Sequence, residues 1–185
     1  MKKIVLTFGL VSGLVLSAIM MATLPFHDRM GNGVAMFVGY ASMVAASVLV
    51  FFGVRRYRDD IAGGTTTFGR AFAVGMLIVV VSSLCYVLTW ETYYYGFSDR
   101  DYLVRYQAKE LERDRAKGLT PAELERKRAE GERFAKLYEN PAVNSALTFV
   151  EPLPVGLLAA LLSAALLRRR RVDARGAEIG GVRAT

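Results

Sequence analysis

Two metal-binding residue types are almost missing from this sequence, which contains one cysteine, Cys85, and one histidine, His27. A single cysteine excludes an intramolecular disulfide and a cysteine-based metal cluster. In its apolar surroundings Cys85 is expected to be a small buried residue. A single histidine excludes a bis-histidine haem site or a multi-histidine metal site within one chain. His27 lies in a short polar stretch, where an exposed loop residue without a task is expected.

Charged residues are absent from three stretches, at about 4–24, 33–54 and 71–90, and rare in a fourth, at 142–167. Each is close to the ~20 residues that a helix needs to cross a hydrocarbon core about 30 Å thick. The stretches are apolar on all sides rather than along one stripe. The sequence therefore predicts an all-α fold, a four-span transmembrane helical bundle. The first stretch has the basic start of a signal peptide, but its length favours an uncleaved span.

The positive charge of the chain, +7 in total, is concentrated at the ends of these stretches. A nucleic-acid-binding face would instead interleave basic and aromatic residues, so no nucleic-acid partner is expected. If the N-terminus, the 55–70 connection and the C-terminal tail share one side, that side carries twelve basic and four acidic residues. Because basic flanking segments stay inside, both termini are predicted to be cytoplasmic. Residues 141–171 form the fourth span with its basic stop, and the tail, 172–185, is predicted to be disordered.

A charged segment, 98–140, separates the third and fourth apolar stretches. Gly118 suits a helix C-terminus, Thr120 an N-cap, Pro121 a first helical position and Glu123 a capping-box partner. This pattern predicts two helices joined by a tight turn. The positive-inside assignment makes them an extracytoplasmic helical hairpin.

The connection between the second and third stretches, 57–72, is short, basic and rich in glycine. Gly63 and Gly64 permit backbone angles that other residues resist, and one of the following threonines can cap a helix. Free N–H groups there could also bind phosphate, but no phosphate-loop spacing is present. A cytoplasmic turn is therefore favoured, with Arg58 and Asp59 beside it as candidates for contact with a partner.

Small and aromatic residues give the spans a pattern of their own. Gly9, Gly13 and Ser17 recur every four residues, which favours close helix packing. Gly9 and Gly13 are also candidates for a homo-oligomer interface, together with Ala35, Gly39 and Gly156. The aromatic cluster 90–97 is typical of a membrane–water interface, although a ligand cage remains open as an alternative.

Residues around the second span and the fourth carry a family resemblance. They are Gly39-Tyr40-Ala41-Ser42-Met43, Phe51-Phe52-Gly53-Val54-Arg55-Arg56-Tyr57-Arg58-Asp59, Gly63-Gly64, Phe68-Gly69-Arg70-Ala71-Phe72, Gly75, Tyr86, Trp90 and Glu151-Pro152-Leu153-Pro154-Val155-Gly156. In these residues the chain resembles the bacterial membrane proteins of domain of unknown function 4199 (DUF4199). The resemblance implies a multi-pass protein of the bacterial cell (inner) membrane and brings no known activity, cofactor or catalytic residue.

Two carboxylates near the apolar stretches are candidates for function, because an ionised group inside a bilayer is costly. Glu91 ends the third stretch, and Glu151 lies ten residues beyond Pro141, so both belong to the outer half of the membrane and could meet or share Tyr86. If the last helix begins near Ala142, Glu151 lies within a span broken by prolines. If it begins at Pro152, Glu151 is an interfacial cap.

The sequence leaves three kinds of function open. The first is a structural or accessory membrane component that acts through helix packing and protein partners. The second is a proton- or cation-linked transporter or channel subunit that uses Glu91 and Glu151. A membrane enzyme ranks last, because no nucleophile–base pair, metal-ligand cluster or phosphate loop is recognisable, and no cofactor is expected.

Overall fold

The computed structural model of the chain describes residues 1–26, 32–98 and 102–168, and within these ranges the fold is helical. The helices are α1 (Lys2–Thr23), α2 (Asn32–Asp60), α3 (Phe68–Gly96), α4 (Tyr102–Ala116), α5 (Pro121–Tyr138), α6 (Pro141–Val150) and α7 (Leu153–Leu167). A short 3-10 turn, Leu24–Phe26, follows α1. His27 and the predicted disordered tail lie outside the described residues.

Four helical segments are long and apolar enough to cross a membrane. They are Lys2–Phe26, Gly33–Asp60, Phe68–Gly96 and Pro141–Leu167, the last of which contains both α6 and α7. Within the described ranges the structure thus confirms the all-α class and the four apolar helices expected from the gaps in charge. Such a set of helices is typical of a membrane protein.

Helix α2 continues beyond the second apolar stretch. It ends at Asp60, and residues 61–67 form the connection to α3. Arg55 lies 3.7 Å from Asp59 in an ion pair one helical turn apart, and Arg56 pairs with Asp60 in the same way. These pairs support helix beyond the apolar stretch.

The spans run up and down, so that their ends meet in two groups. One buried cluster joins the start of α1, the end of α2, the start of α3 and the end of α7, through Val5, Tyr57, Ala71 and Leu167 among others. The flanking residues Lys2, Lys3, Arg55, Arg56, Arg70 and Arg168 belong to these same helix ends, which we call the basic end. We call the opposite end, with Trp90, Tyr94 and Tyr138, the aromatic end.

The small-residue stripe of α1 packs against α3. A Cβ atom added at Gly9 would lie 2.6 Å from Cβ of Val81. One added at Gly13 would lie 2.5 Å from Cβ of Cys85. Contacts this short are not tolerated between real side chains, so these glycines allow the two helix backbones to approach closely. Gly9 and Gly13 are therefore covered by α3 within the chain.

Helices α4 and α5 pack against each other beyond the aromatic end of α3. The capping box expected at Thr120 and Glu123 is confirmed, with Pro121 in the first helical turn. Gly118 has the expected helix-ending geometry, with a φ of +88°. Between the two helices, the amide nitrogen of Gln107 donates to the carbonyl of Gly131 over 2.8 Å.

Candidate functional site

The fourth span is broken at Glu151. Helix α6 begins at Pro141, where the side-chain oxygen of Asn140 accepts a hydrogen bond from the backbone of Ala142. It ends at Val150, and α7 begins at Leu153. Pro152 has no N–H group to donate to the preceding turn, so the helix cannot continue without interruption. The structure therefore has a helix on each side of Glu151, α6 before it and α7 after it, and the candidate span Pro141–Leu167 includes both.

A cavity of about 340 Å³ lies beside this break. The end of α1, the start of α2, the aromatic end of α3 and parts of α4, α5 and α6 enclose it. Its described wall contains five aromatic residues, Tyr40, Tyr86, Trp90, Tyr106 and Tyr138. Most of the remaining wall is apolar, and Glu151 is the one acidic or basic side chain among the described lining residues.

Glu151 and Tyr86 face each other across the α3–α6 contact. The Tyr86 hydroxyl donates to Oε2 of Glu151 over 3.4 Å, which is long for this type of hydrogen bond. The Glu151 residue is exposed. Because an ionised carboxylate has about four acceptor positions, one long hydrogen bond leaves Glu151 able to bind a further donor or cation.

A buried polar network supports the cavity wall from behind. Asn144 is fully buried, and its side-chain oxygen accepts from the indole nitrogen of Trp90 (3.1 Å) and the hydroxyl of Thr148 (3.3 Å). The hydroxyls of Thr148 and Tyr138 are 3.3 Å apart. These contacts fix Trp90 and Tyr138, two cavity residues, to α6. Within the described part of the chain, the amide nitrogen of Asn144 has no protein hydrogen-bond partner.

Glu91, the other carboxylate singled out by the sequence, has a different partner. Its side chain accepts a 2.9 Å hydrogen bond from the Ser145 hydroxyl, which joins α3 to α6. Glu91 is not among the described residues that line the cavity. The sequence left open whether Glu91 and Glu151 would contact each other or share Tyr86. In the structure Tyr86 contacts Glu151, whereas Glu91 connects α3 to α6.

The four candidates near the connection between α2 and α3 form a turn and its flank. Gly63 and Gly64 have φ angles of +66° and +84°, the left-handed region that favours glycine. Arg58 donates from Nε to Asp59 over 2.7 Å, and its carbonyl accepts from the backbone of Gly64. Thr67 is the N-cap of α3. The favoured turn with a threonine cap is confirmed, with Arg58 and Asp59 in α2 rather than in the turn.

Two of the aromatic cavity residues lie outside the spans. Burial raises the pKa of the Tyr106 hydroxyl above its usual value, and burial is also the main cause of the raised pKa of Tyr138. Both rings are therefore neutral phenols at physiological pH.

The sequence did not identify Tyr106, Tyr138 or Asn144 as site residues. Tyr138 had a partial signal, because it falls on the thin apolar stripe of α5 with Phe134, whose ring contacts it. Tyr106 lies in a strongly charged stretch, and no feature of the sequence marked it as a site residue.

No group of three or more His, Cys, Asp or Glu residues in the described ranges is placed to hold a metal ion. The free thiol of Cys85 is half-buried against α1.

Comparison with known proteins identifies a family. The family model described as "Protein of unknown function (DUF4199)" matches residues 7–169. Neither the curated proteins nor the solved structures contain a significant match.

Proposed function

The chain belongs to the DUF4199 family, and from that premise we propose that it is a cation-linked transporter or channel subunit of the bacterial inner membrane. The observation that carries the proposal is Glu151, which lies at the break of the fourth span and lines a cavity of about 340 Å³. On insertion scales, an acidic residue at the centre of a membrane helix costs about 2.5–3.5 kcal/mol. A carboxylate within a membrane span and beside an accessible cavity is typical of an ion or substrate pathway.

The proposed orientation places the basic end in the cytoplasm. Support comes from the meeting of the helix ends that carry Lys2, Arg55, Arg70 and Arg168, because basic flanking residues stay on the cytoplasmic side. The chain then crosses the membrane four times, with both termini inside. Helices α4 and α5 form an extracytoplasmic hairpin, and the Glu151 cavity lies in the outer half of the bilayer.

Ion flux into liposomes containing the purified protein tests the transport role. We expect flux of a monovalent cation (protons, sodium, potassium or an organic ammonium ion) above that of empty liposomes, and we expect Glu151→Gln to abolish it because the substitution removes the charge and keeps the shape. Glu91→Gln is the matched control, since Glu91 has the same chemistry in the same half of the bundle but contacts Ser145. Absence of flux, or equal flux in the Glu151→Gln variant, would overturn the proposal.

Labelling of introduced cysteines tests the orientation. In a Cys85→Ser background, a cysteine at Lys117 between α4 and α5 should react with a membrane-impermeant maleimide in intact cells. A cysteine at Thr65, in the α2–α3 connection, should react only after the cells are opened. The reverse pattern would place the basic end outside.

An accessory role through a second copy of the chain is supported by one observation on α2. A Cβ atom at Gly39 would meet nothing within 4 Å, whereas Gly9, Gly13 and Gly156 are occupied by contacts inside the chain. Among the small residues named for an oligomer contact, Ala35 and Gly39 of α2 therefore remain, and both also line the Glu151 cavity. Disulfide crosslinking of Ala35→Cys in the Cys85→Ser background should then give a covalent dimer in native membranes, and its absence would remove this candidate.

A further inference from the structure

We propose that the cavity beside Glu151 binds an organic ammonium ion that carries an apolar group. The inference rests on the function proposed above and names the class of cation. The ammonium group would pair with the Glu151 carboxylate and lie against the aromatic wall, while the apolar group would occupy the remaining volume. Either a lipid headgroup amine or a free amphiphilic amine has this chemistry.

The size of the cavity favours an organic ligand over a bare ion. Its volume is about 340 Å³, whereas one water molecule occupies about 30 Å³ in the liquid. Small-molecule sites in proteins are usually about 300–1,000 Å³. A proton or an alkali-metal ion would leave most of this volume to water.

The charges around the cavity favour a monovalent cation with diffuse charge. Glu151 is the one acidic side chain among the described lining residues, and the described chain offers no group of three His, Cys, Asp or Glu ligands for a metal ion. A divalent metal requires several hard oxygen ligands. An ammonium group with carbon substituents is less hydrated than a small metal ion, so it needs one counter-ion and a surface that tolerates this lower hydration.

The aromatic wall supplies that surface. Tyr86 contacts the carboxylate directly, and Trp90 and Tyr138 are held by the polar network through Asn144 and Thr148. A cation over the face of a tryptophan or tyrosine ring is attracted by the ring quadrupole. Aromatic cages of this type recognise quaternary ammonium groups. The neutral Tyr106 and Tyr138 rings are suited to this role.

The rest of the wall matches an apolar group. Met20, Met36, Met43 and Leu24 line the cavity, and methionine side chains adapt to irregular ligands because they are unbranched and polarisable. A strongly hydrated small cation would lose its water against these side chains without compensation.

Fluorescence of Trp90 provides a direct test, because Trp90 is the single tryptophan of the chain and lines the cavity. The protein in nonionic detergent is titrated with benzyltrimethylammonium and, separately, with neopentylbenzene, in which carbon replaces the charged nitrogen. We expect saturable fluorescence change with the cation and binding at least about tenfold weaker for the neutral isostere, since only the cation pairs with Glu151.

Two variants locate the binding site. Glu151→Gln should weaken binding of benzyltrimethylammonium at least about tenfold through loss of the ion pair, and Tyr106→Leu should weaken it severalfold. Glu91→Gln should bind like the unmodified protein. Thermal unfolding of each variant is measured alongside, so that loss of binding is separated from loss of fold.

Nanodiscs with and without phosphatidylethanolamine distinguish the two sources of the ammonium group. Competition by this lipid would identify a lipid headgroup as the ligand, and undiminished binding would identify a free amine. Either result supports the proposed class.

Equal affinity for the isostere, or equal affinity in Glu151→Gln, would overturn the proposed ligand class. Proton or sodium flux through a protein that binds no ammonium probe would leave transport standing and overturn only this inference. Binding of the probe without any flux would support the ligand class and overturn the transport role.

Discussion

At the basic end of the bundle Val54, Ala71 and Ala164 are completely covered by neighbouring helices, whereas at the aromatic end a cavity of about 340 Å³ separates the helices. The basic end contains the larger buried cluster, to which α1, α2, α3 and α7 all contribute. The buried cluster nearer the aromatic end has only Leu16, Met43 and Ala46 at its centre. The same four spans therefore build a close-packed half and an open half.

This difference separates the residues that hold the fold from those available for function. In the proposed membrane setting, lipid tails are as apolar as leucine, so packing between the helices depends on close contact rather than on removal of apolar surface from water. In the close-packed half that contact is continuous, and no carboxylate is buried there among the described residues. In the open half, the Glu151 carboxylate and the proline break take the place of continuous helix contact. This arrangement lowers stability and leaves room for a ligand.

The largest expected effect comes from filling a glycine contact in the close-packed half. Gly9→Ala places a methyl group 2.6 Å from Cβ of Val81, and overpacking of this kind costs about 1–3 kcal/mol. Gly39→Ala in the open half meets nothing within 4 Å and should gain up to about 1 kcal/mol from helix propensity. Unfolding in dodecyl sulfate, titrated from nonionic detergent, measures both. Equal stability of the two variants would remove the distinction between the halves.

An effect confined to α4 and α5 is expected from Asp114, whose side chain is buried between these helices. It forms ion pairs with Lys127 of α5 and Lys117. The hydrogen bond from Lys127 is the main reason that the pKa of Asp114 lies below its usual value of 3.8. Because the folded pKa is depressed, this stabilisation is complete well above pH 3.8 and is lost as the pH falls below that value.

Acidification should therefore separate α4 from α5 before the membrane spans loosen. Hydrogen exchange, corrected for its intrinsic pH dependence, should show faster exchange in α4 and α5 below about pH 3.8 with α1 and α3 unchanged. Asp114→Asn should produce the same local change at pH 7. Glu130→Gln is the matched control, because Glu130 is exposed and its ion pair with Arg126 is 3.8 Å long. Simultaneous loosening of all helices at acid pH would contradict this expectation.

The parts of this molecule that depend on neighbours along the chain were predictable from the sequence. Gaps in charge located the four apolar helices, since a span must exclude ionised groups over about 20 residues. The Thr120–Glu123 capping box was also predictable, because its two hydrogen bonds join residues three apart. The continuation of α2 through Asp60 was missed, since its supporting ion pairs follow a run of arginines that was interpreted as a stop.

The cavity was not predictable, because a void is a property of several helices together. Glu151 and Tyr86 were expected near each other from their depth alone. Tyr106 and Tyr138 come from the charged segment, and nothing local indicates that their rings reach the wall beside Glu151. Asn144 was missed for a related reason, since its partner Trp90 lies on another helix, α3.

The smallest expected effect, from two buried serines midway between the halves, tests how sharply packing changes along the bundle. Ser12 donates to the carbonyl of Ala46 over 3.1 Å and accepts from Ser82 over 3.3 Å. Ser83 is equally buried, but its hydroxyl has no protein hydrogen-bond partner within the described ranges and faces a small cavity of about 20 Å³.

Ser12→Ala should cost about 1 kcal/mol, because it removes two hydrogen bonds between spans. Ser83→Ala should be neutral or slightly stabilising, because a hydroxyl without a protein partner contributes little and is costly to bury. The dodecyl sulfate titration used for the glycine variants resolves this difference. If Ser83→Ala were the more destabilising of the two, its hydroxyl would belong to a polar path continuing from the Glu151 cavity into the bundle, and the boundary between the open and close-packed halves would move toward the basic end.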